Sequence, residues 1–186
     1  MTRSTDLADR SPRLIRIDLG CGSDGVPGTI GVDQRRTPRT QVVCDIRRTP
    51  FPAHVVDEVY ANCVLEHFRN PYEVLDEIVR VLKPTGCAYL RVPNLGTMSA
   101  HLDPTHCFLG DLNVWRSMFK GYFHQVKTIP FGTKYYDNKL LAAINWVLVH
   151  GLRFFELSQA WDFVCRRPRA EPTKRYMGWW LETPEQ

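Results

Sequence analysis

Residues 17–25 read IDLGCGSDG, an apolar stretch that runs directly into a cluster of three glycines. Gly20, Gly22 and Gly25 have the spacing G-x-G-x-x-G, and glycines at this spacing let the backbone turn sharply and approach a ligand closely. Asp18 precedes the first glycine by two residues. The stretch therefore predicts a ligand-binding turn at the end of a strand, with a carboxylate beside it.

The surrounding sequence argues against a bound dinucleotide. A dinucleotide site needs a helix after the glycines, with its N-terminus facing the pyrophosphate. Only residues 23–28, which include Pro27 and two glycines, separate Gly22 from the next apolar stretch. Asp33 follows Gly20 by 13 positions, whereas the nucleotide fingerprint places its acidic residue about 20 positions on. A cationic ligand without phosphate suits these carboxylates, and an NAD-dependent oxidoreductase is disfavoured.

Short apolar stretches that end at acidic residues predict a mostly parallel sheet. Asp33 and Asp45 stand at the ends of the second and third stretches, as Asp18 does in the first. The ligand site of an open parallel sheet lies at the carboxyl ends of its strands, so we expect the three acids to lie at one edge. The predicted strands are 14–19, 29–32, 41–44, a segment near 58–62, and 87–94.

A helix is predicted between the fourth and fifth strands. Asn70 is a plausible N-cap, Pro71 suits the first helical position, and Glu73 completes a capping box. Lys83–Gly86 (KPTG) is expected to end the helix, and a helix between two strands implies a right-handed parallel crossover. A second helix is predicted over 140–149, and residues 153–167 predict two strands around a turn that complete the sheet. The apolar face of the first helix is Val74, Leu75, Ile78, Val79 and Leu82.

The composition is that of an ordinary globular domain. Of 186 residues, 44% are hydrophobic and 24% are charged. The longest strongly apolar run, residues 140–149, is too short to span a bilayer, and we identify no signal peptide. The six cysteines never form C-x-x-C, which predicts reduced thiols and a cytoplasmic protein.

Four stretches together resemble the successive motifs of the class I S-adenosylmethionine (SAM)-dependent methyltransferases, and the small-molecule subgroup in particular. The resemblance covers roughly residues 14–94. It implies an α/β, doubly wound, mostly parallel seven-stranded sheet with an antiparallel last strand, here with a shortened first crossover. It also implies SAM as the cofactor. The stretches are IDLGCGSDGVPGTIGVD (17–33), VVCDIRRTPFP (42–52), VDEVYANCVLEHF (56–68) and LDEIVRVLKPTGCAYLRVPN (75–94).

The resemblance also implies which residues contact the cofactor. In chemical terms, Asp18 can attract the α-ammonium of SAM, Asp33 can accept hydrogen bonds from the ribose hydroxyls, and Asp45 can accept one from the adenine amino group. The alternative for each acid is a turn cap, and for Cys21 a small packing residue. The expected cofactor-binding set is Asp18, Gly20, Cys21, Gly22, Asp33, Gln34, Asp45, Ile46, Asn62 and Leu65.

The candidate catalytic residues are His67, His101, Asp103 and His106. The last three lie within the stretch HLDPTHCFLGD (101–111), which we expect to form one loop over the methyl donor. An imidazole beside a carboxylate suits a general base and its orienting group, so His106 is the first candidate base, with Asp103 as its partner. Two alternatives stay open: a structural lid loop, and a metal site with Cys107 as a fourth ligand. We assign no metal from the sequence.

We therefore predict a SAM-dependent methyltransferase that acts on an O or N atom of a small molecule, in specialised metabolism. NCVLEHF stands where enzymes that methylate exocyclic or amide nitrogens often carry Asn/Asp-Pro-Pro-aromatic, which argues against DNA adenine or glutamine side chains. We expect no nucleic-acid partner and no membrane span. The alternative is a non-catalytic member of the fold that serves as a binding protein or partner subunit.

The chain is expected to form one methyltransferase domain. No helical cap precedes the first strand, so the cover of the substrate must come from residues 95–150 or from a second copy in a homodimer. The expected parts are a flexible arm (1–13), the SAM-binding core (14–94), a substrate or lid region (95–150), the terminal strands (151–168) and a tail (169–186).

Overall fold

The computed structural model describes residues 14–131, 139–152 and 158–173. A short 3-10 turn at Leu65–His67 follows the fourth strand, and a π-helical turn at Val147–Gly151 follows the last helix. The other elements are β1 (Arg16–Leu19), β2 (Ile30–Asp33), β3 (Thr40–Val43), β4 (Val56–Asn62), α1 (Pro71–Val81), β5 (Leu82–Pro93), α2 (Met98–Leu102), α3 (Leu112–Tyr122), β6 (Phe123–Phe131), α4 (Lys139–Trp146) and β7 (Ala160–Pro168).

The seven strands form one sheet in the order β3-β2-β1-β4-β5-β7-β6. β1 pairs in parallel with β2 and β4, and β4 pairs in parallel with β5. β7 runs antiparallel to both of its neighbours, β5 and β6. The predicted α/β fold, with a seven-stranded sheet and an antiparallel last strand, is confirmed.

The hydrophobic core lies between one face of the sheet and the helices α1 and α3. Ile17 is in register with Val59 and Leu19 with Ala61, so these four fully buried side chains lie on the same face. They belong to one buried cluster with side chains of both helices, including Ile78 of α1. Burial of an aliphatic side chain contributes about 1.5–3 kcal/mol, so this face supplies most of the hydrophobic stabilisation.

The opposite face of the sheet is half-exposed. Its side chains alternate along each strand with those of the core, as the two-residue period of a strand requires. Arg16 forms an ion pair of 2.8 Å with Glu58, and Tyr60 stacks on Tyr89 with ring centroids 4.7 Å apart. Residues 20–29, between β1 and β2, contain no helix, which confirms the predicted short first crossover.

Helix α1 begins as predicted but ends earlier. The side chain of Asn70 accepts a hydrogen bond from the Tyr72 amide, and Pro71 occupies the first helical position. Leu82, predicted as a helix residue, already has an extended backbone and begins β5, which includes the KPTG segment that was expected to end the helix. Pro84 explains the difference, because a proline disfavours helical backbone at the preceding residue and removes one amide donor.

The last two strands differ from the prediction. β7 (Ala160–Pro168) overlaps the predicted pair at 153–167, but its outer antiparallel partner is β6 (Phe123–Phe131), in a region where no strand was predicted. Residues 153–157 lie outside the described residues. The sequence of β6, FHQVKTIPF, alternates weakly and contains Pro130, which explains why its pattern was missed.

The predicted helix at 140–149 is present as α4, which continues into the π-helical turn. Within the described residues, every helix is too short or too polar to cross a bilayer.

Candidate functional site

A cavity of about 850 Å³ opens at the carboxyl ends of four neighbouring strands. This volume is within the range of about 300–1,000 Å³ that is usual for small-molecule sites. Five of the ten predicted cofactor residues line it, and Cys63, Val64, His67 and Thr105 line its other side. The five are Gly20, Asp33, Gln34, Asp45 and Ile46.

The glycine turn after β1 is built so closely that its first residue has to be glycine. Gly20 has φ of +68°, and a Cβ there would lie 2.6 Å from Cγ2 of Val64. Gly22 has φ of +50° but open space around it. The Gly20 amide donates a 2.7 Å hydrogen bond to the carbonyl of Val32, which ties the turn to β2.

Asp33 organises the ligand edge of the sheet. It is 4% exposed, its Oδ2 accepts a 3.0 Å hydrogen bond from the Gly22 amide, and its Oδ1 accepts one of 2.8 Å from the Arg35 amide. A carboxylate offers about four acceptor positions, so two remain for hydroxyl donors in the cavity.

Asp18 lies behind the turn and is not part of the cavity wall. It is 2% exposed, and its Oδ2 accepts a 2.7 Å hydrogen bond from the Val26 amide in the first crossover. Burial raises the pKa of Asp18, although this hydrogen bond and the nearby charge of Arg39 oppose the shift. The carboxylate thereby holds the crossover against β1.

Asp45 lines the cavity in an ion pair. Nη2 of Arg47 lies 2.7 Å from its Oδ2, and Nη1 of Arg47 lies 3.0 Å from Oε2 of Glu73. The hydrogen bonds from Arg47 lower the pKa of Asp45. An adenine amino group would therefore share this carboxylate with Arg47.

The other predicted cofactor residues are near the cavity but do not line it. Cys21 is buried, its Sγ lies 3.7 Å from Oγ1 of Thr40, and burial raises its thiol pKa. Leu65 is fully buried in the core, and Asn62 is an exposed residue at the end of β4.

The predicted histidine loop is divided by the structure. His101 lies in helix α2, and its Nε2 is 2.7 Å from the carbonyl oxygen of Leu95, so the expectation that it shares a loop with His106 is wrong. Pro104 follows α2 closely and stops the helix from continuing to His106. His106 turns back instead, with Nδ1 at 2.7 Å from the Ala100 carbonyl and Nε2 at 3.7 Å from Oδ2 of Asp103.

Glu66 is a functional candidate that the sequence analysis missed. It is 0% exposed, and among the described residues neither of its carboxylate oxygens accepts a hydrogen bond from a nitrogen or oxygen donor. Its Oε1 lies 4.0 Å from Nε2 of His106, and burial raises its pKa to about 7. The one available signal was its position beside His67 in the stretch LEHF.

Backbone hydrogen bonds join this glutamate to the segment that follows α2. The amides of Cys107 and Phe108 both donate to the carbonyl oxygen of Glu66, at 2.8 and 2.9 Å. The result is a group of Glu66, His67 and His106 whose ligand atoms all lie within 4.8 Å of one another. Cys107, the fourth ligand of the metal alternative, is exposed and is not in this group.

The segment that contains the glycine turn is similar to a known protein family. Residues 18–90 match the family model described as a methyltransferase domain. This segment, which runs from β1 through most of β5, is therefore similar to methyltransferase domains.

Solved structures share the fold over most of the chain. A SAM-dependent methyltransferase from Archaeoglobus fulgidus is 18% identical with a TM-score of 0.59, over 82% of this chain and 86% of that one. A Haloferax volcanii methyltransferase, solved in complex with the activator Trm112, is 20% identical with a TM-score of 0.60, over 87% of this chain and 85% of that one. At these identities the likeness establishes the fold alone.

A curated relative is more similar in sequence but is much longer. Trans-aconitate 2-methyltransferase from Rhizobium rhizogenes is 30% identical, over 46% of this chain. The alignment spans 41% of that relative.

Proposed function

We propose that the chain binds SAM in the 850 Å³ cavity and transfers its methyl group to an oxygen or nitrogen atom of a small molecule. The observation that carries the proposal is the pairing of the glycine turn with Asp33 at the carboxyl ends of β1 and β2. This arrangement combines close backbone approach with free carboxylate acceptors, and it offers no helix N-terminus to a phosphate.

The cavity has a suitable group for each part of SAM. Asp33 accepts hydrogen bonds from the ribose hydroxyls with the two acceptor positions that the backbone leaves free. Ile46 packs against the adenine ring, and Asp45 and Gln34 lie at its polar edge. Gly20 and Gly22 let the methionine part lie against the backbone, with Asp18 behind them to attract the ammonium through water. Asn62, Leu65 and Cys21 support these contacts from outside the cavity wall.

The acceptor lies at the other side of the cavity, beside His67 and Thr105. Methyl transfer from a sulfonium is an in-line displacement, so alignment of the acceptor supplies much of the catalysis. An acceptor that must lose a proton also needs a base. His106 is the candidate: it does not line the cavity itself, but its ring lies 5.0 Å from that of His67, which does, and its Nε2 is left to accept a proton because its Nδ1 is bonded to a carbonyl. Asp103, at 3.7 Å, can stabilise the imidazolium.

A small-molecule acceptor is favoured by the relatives. The curated relative is named for trans-aconitate, and a neighbour of 15% identity and TM-score 0.55 is phosphoethanolamine N-methyltransferase 2 of Haemonchus contortus, solved with SAM. It covers 84% of this chain and 49% of that one. Both names describe small acceptors, and the second names nitrogen as the methylated atom.

Calorimetric titration tests the cofactor part of the proposal. SAM and S-adenosylhomocysteine should bind with one site per chain, and NAD should not bind. Transfer of labelled methyl groups from SAM to a panel of small carboxylic acids, alcohols and amines then tests the reaction. Binding of NAD without binding of SAM would contradict the proposal.

A second candidate is a member of the fold that works only with a partner. It is favoured by the structure of the Haloferax volcanii neighbour, which is bound to an activator, and by the half-exposed second face of the sheet. SAM binding without methyl transfer, restored by a second copy at high concentration or by an added activator subunit, would support this candidate.

A further inference from the structure

The buried carboxylate of Glu66 has no charged partner in hydrogen-bonding contact. Among the described residues, Oε1 and Oε2 of Glu66 accept no hydrogen bond from a nitrogen or oxygen donor; the Cys63 thiol, a weak donor, is a neighbour that lowers the pKa of Glu66, and Nε2 of His106 is 4.0 Å from Oε1. Buried charges in proteins are normally paired with an opposite charge or bound to a metal ion. The 4.0 Å between Oε1 of Glu66 and Nε2 of His106 leaves room for a cation between the two atoms.

The tautomer of His106 leaves the right nitrogen free for this cation. Its Nδ1 lies 2.7 Å from the carbonyl oxygen of Ala100, and a carbonyl oxygen can only accept. The proton of the neutral ring is therefore on Nδ1. The lone pair is on Nε2, which is the nitrogen beside Glu66.

His67 is fixed in the same tautomer by a different chain of hydrogen bonds. Oγ1 of Thr105 donates to Oδ1 of Asp103 at 2.5 Å, because a carboxylate only accepts. The same oxygen, 2.9 Å from Nδ1 of His67, is therefore the acceptor for the imidazole N–H. This leaves the Nε2 lone pair of His67 free as well.

Histidines that bind a metal usually coordinate it through one ring nitrogen and donate the N–H of the other to a carbonyl oxygen, a carboxylate or water. His106 has this arrangement through Ala100, and His67 has it through Thr105, which in turn bonds to Asp103. Two histidines and one glutamate form a common three-residue ligand set for zinc sites that keep an open position. Bonds of about 2.0–2.1 Å place tetrahedral ligand atoms about 3.3 Å apart. The observed spacings of up to 4.8 Å therefore need to close by about 1 Å or more, and His67 is exposed and can move.

We propose that Glu66, His67 and His106 bind a divalent transition-metal ion, with Zn²⁺ as the representative. The carboxylate and two neutral imidazoles offset half of the charge of the ion. His67 also lines the cavity, so a fourth ligand would bind at the cavity wall. The fourth ligand would be a hydroxyl or carboxylate oxygen of the methyl acceptor, and this part of the inference rests on the proposed function. In the metal-loaded protein the Nε2 lone pair of His106 is committed to the ion, which would then favour loss of the acceptor's proton in its place.

The test is metal binding by the full chain, measured apart from activity. Protein stripped with a chelator is dialysed against Zn²⁺ in the presence of a reductant that does not bind metals, and bound zinc is counted by atomic absorption. The variants are Glu66→Gln, His67→Gln and His106→Gln. The control is His124→Gln, which changes an exposed histidine on β6. Co²⁺ substitution reports the ligands, because thiolates give a charge-transfer band that imidazoles and carboxylates lack.

The wild-type protein and the control should bind about one equivalent of zinc, and each of the three variants should bind at least about 100-fold more weakly. His67→Gln keeps the test valid if the buried variants fail to fold, because it changes an exposed side chain: it should keep the melting temperature of the metal-free protein and lose the rise that Zn²⁺ causes. SAM titration of the same samples reports the proposed function separately. No stoichiometric zinc in the wild type, unchanged zinc affinity in His67→Gln, or a thiolate band with Co²⁺ would overturn the proposal.

Discussion

The amide of Gly22 donates a 3.0 Å hydrogen bond to the carboxylate of Asp33, so the glycine turn after β1 and the end of β2 form one unit. The backbone at Gly22 has φ of +50°, and the carboxylate is only 4% exposed. The position of the turn therefore depends on the acid, and the acid is oriented by the turn. Both would be in place before a ligand enters the cavity.

Asp33→Ala should weaken SAM binding by about 2–3 kcal/mol, because the ribose would lose charge-assisted hydrogen bonds. Isothermal titration calorimetry measures the change in affinity. Arg36→Ala is the control, since Arg36 is an exposed residue of the same segment and does not line the cavity. A folded Asp33→Ala protein with wild-type affinity would exclude Asp33 as the ribose acceptor.

Gly20→Ala should destabilise the fold by about 2–4 kcal/mol, since it adds a clash with Val64 to an unfavourable φ. Gly22→Ala is the comparison, because it has a similar φ but nothing within 4 Å of the new Cβ, and it should cost only about 1–2 kcal/mol. Urea denaturation of both variants gives the difference. Equal losses would mean that the contact with Val64 relaxes freely.

Glu77 should make stability depend on acidic pH. Burial alone would raise the pKa of this carboxyl, but hydrogen bonds from Arg80 and Thr49 outweigh it and hold the pKa below its ordinary value of 4.5. A depressed pKa in the folded state gives a contribution that is complete above pH 4.5 and is lost as the pH falls below it. Glu77→Gln should therefore be destabilised by about 2 kcal/mol at pH 7.

The difference between wild type and Glu77→Gln should shrink as the pH is lowered towards 3, which denaturation curves across this range would measure. Asp111→Asn is a suitable control, because the exposed Asp111 caps α3 and an asparagine can also accept the hydrogen bond from the Val114 amide. A pH-independent difference for Glu77→Gln would contradict the linkage.

His106→Ala should reduce the rate of methyl transfer by about 10²–10⁴-fold with little change in SAM affinity. His101→Ala should have a much smaller effect, because its exposed imidazole bonds to the carbonyl of Leu95, before α2, and is not part of the group of Glu66, His67 and His106. Single-turnover assays with labelled SAM and the true acceptor compare the two variants. Full turnover in His106→Ala would show that His106 is not the base and that alignment of the acceptor is sufficient for catalysis.

The sequence predicted which residues stand at the carboxyl ends of the parallel strands. Asp33 was predictable because an acid directly after a short apolar strand marks the ligand edge of a parallel sheet. Asp18 is near such an end too, yet its side chain does not line the cavity and accepts a hydrogen bond from Val26. Asp18 is in register with Gly31, so it lies on the same face of the sheet as Asp33 but one residue pair further from the strand end, where the first crossover covers it.

Glu66 was not predictable from local pattern. It follows a buried leucine in a short 3-10 turn, where a glutamate is ordinarily a surface residue. Its burial comes from the segment around His106, about 40 residues later, which packs over it through the amides of Cys107 and Phe108. Contacts of this kind depend on the path of a loop, and Pro104 fixes that path in a way that periodicity does not reveal.

The short crossover between β1 and β2 has a consequence for turnover. Residues 20–29 contain no helix and are held by individual hydrogen bonds, among them those of Asp18 with Val26, of Asp33 with Gly22 and of Arg39 with the Gly25 carbonyl. Displacing this loop breaks a few hydrogen bonds, each worth about 1 kcal/mol net, and does not unwind a helix. In the proposed complex, release of the spent cofactor past this loop would require only these hydrogen bonds to break, and the methyl donor would then be replaced quickly between reaction cycles.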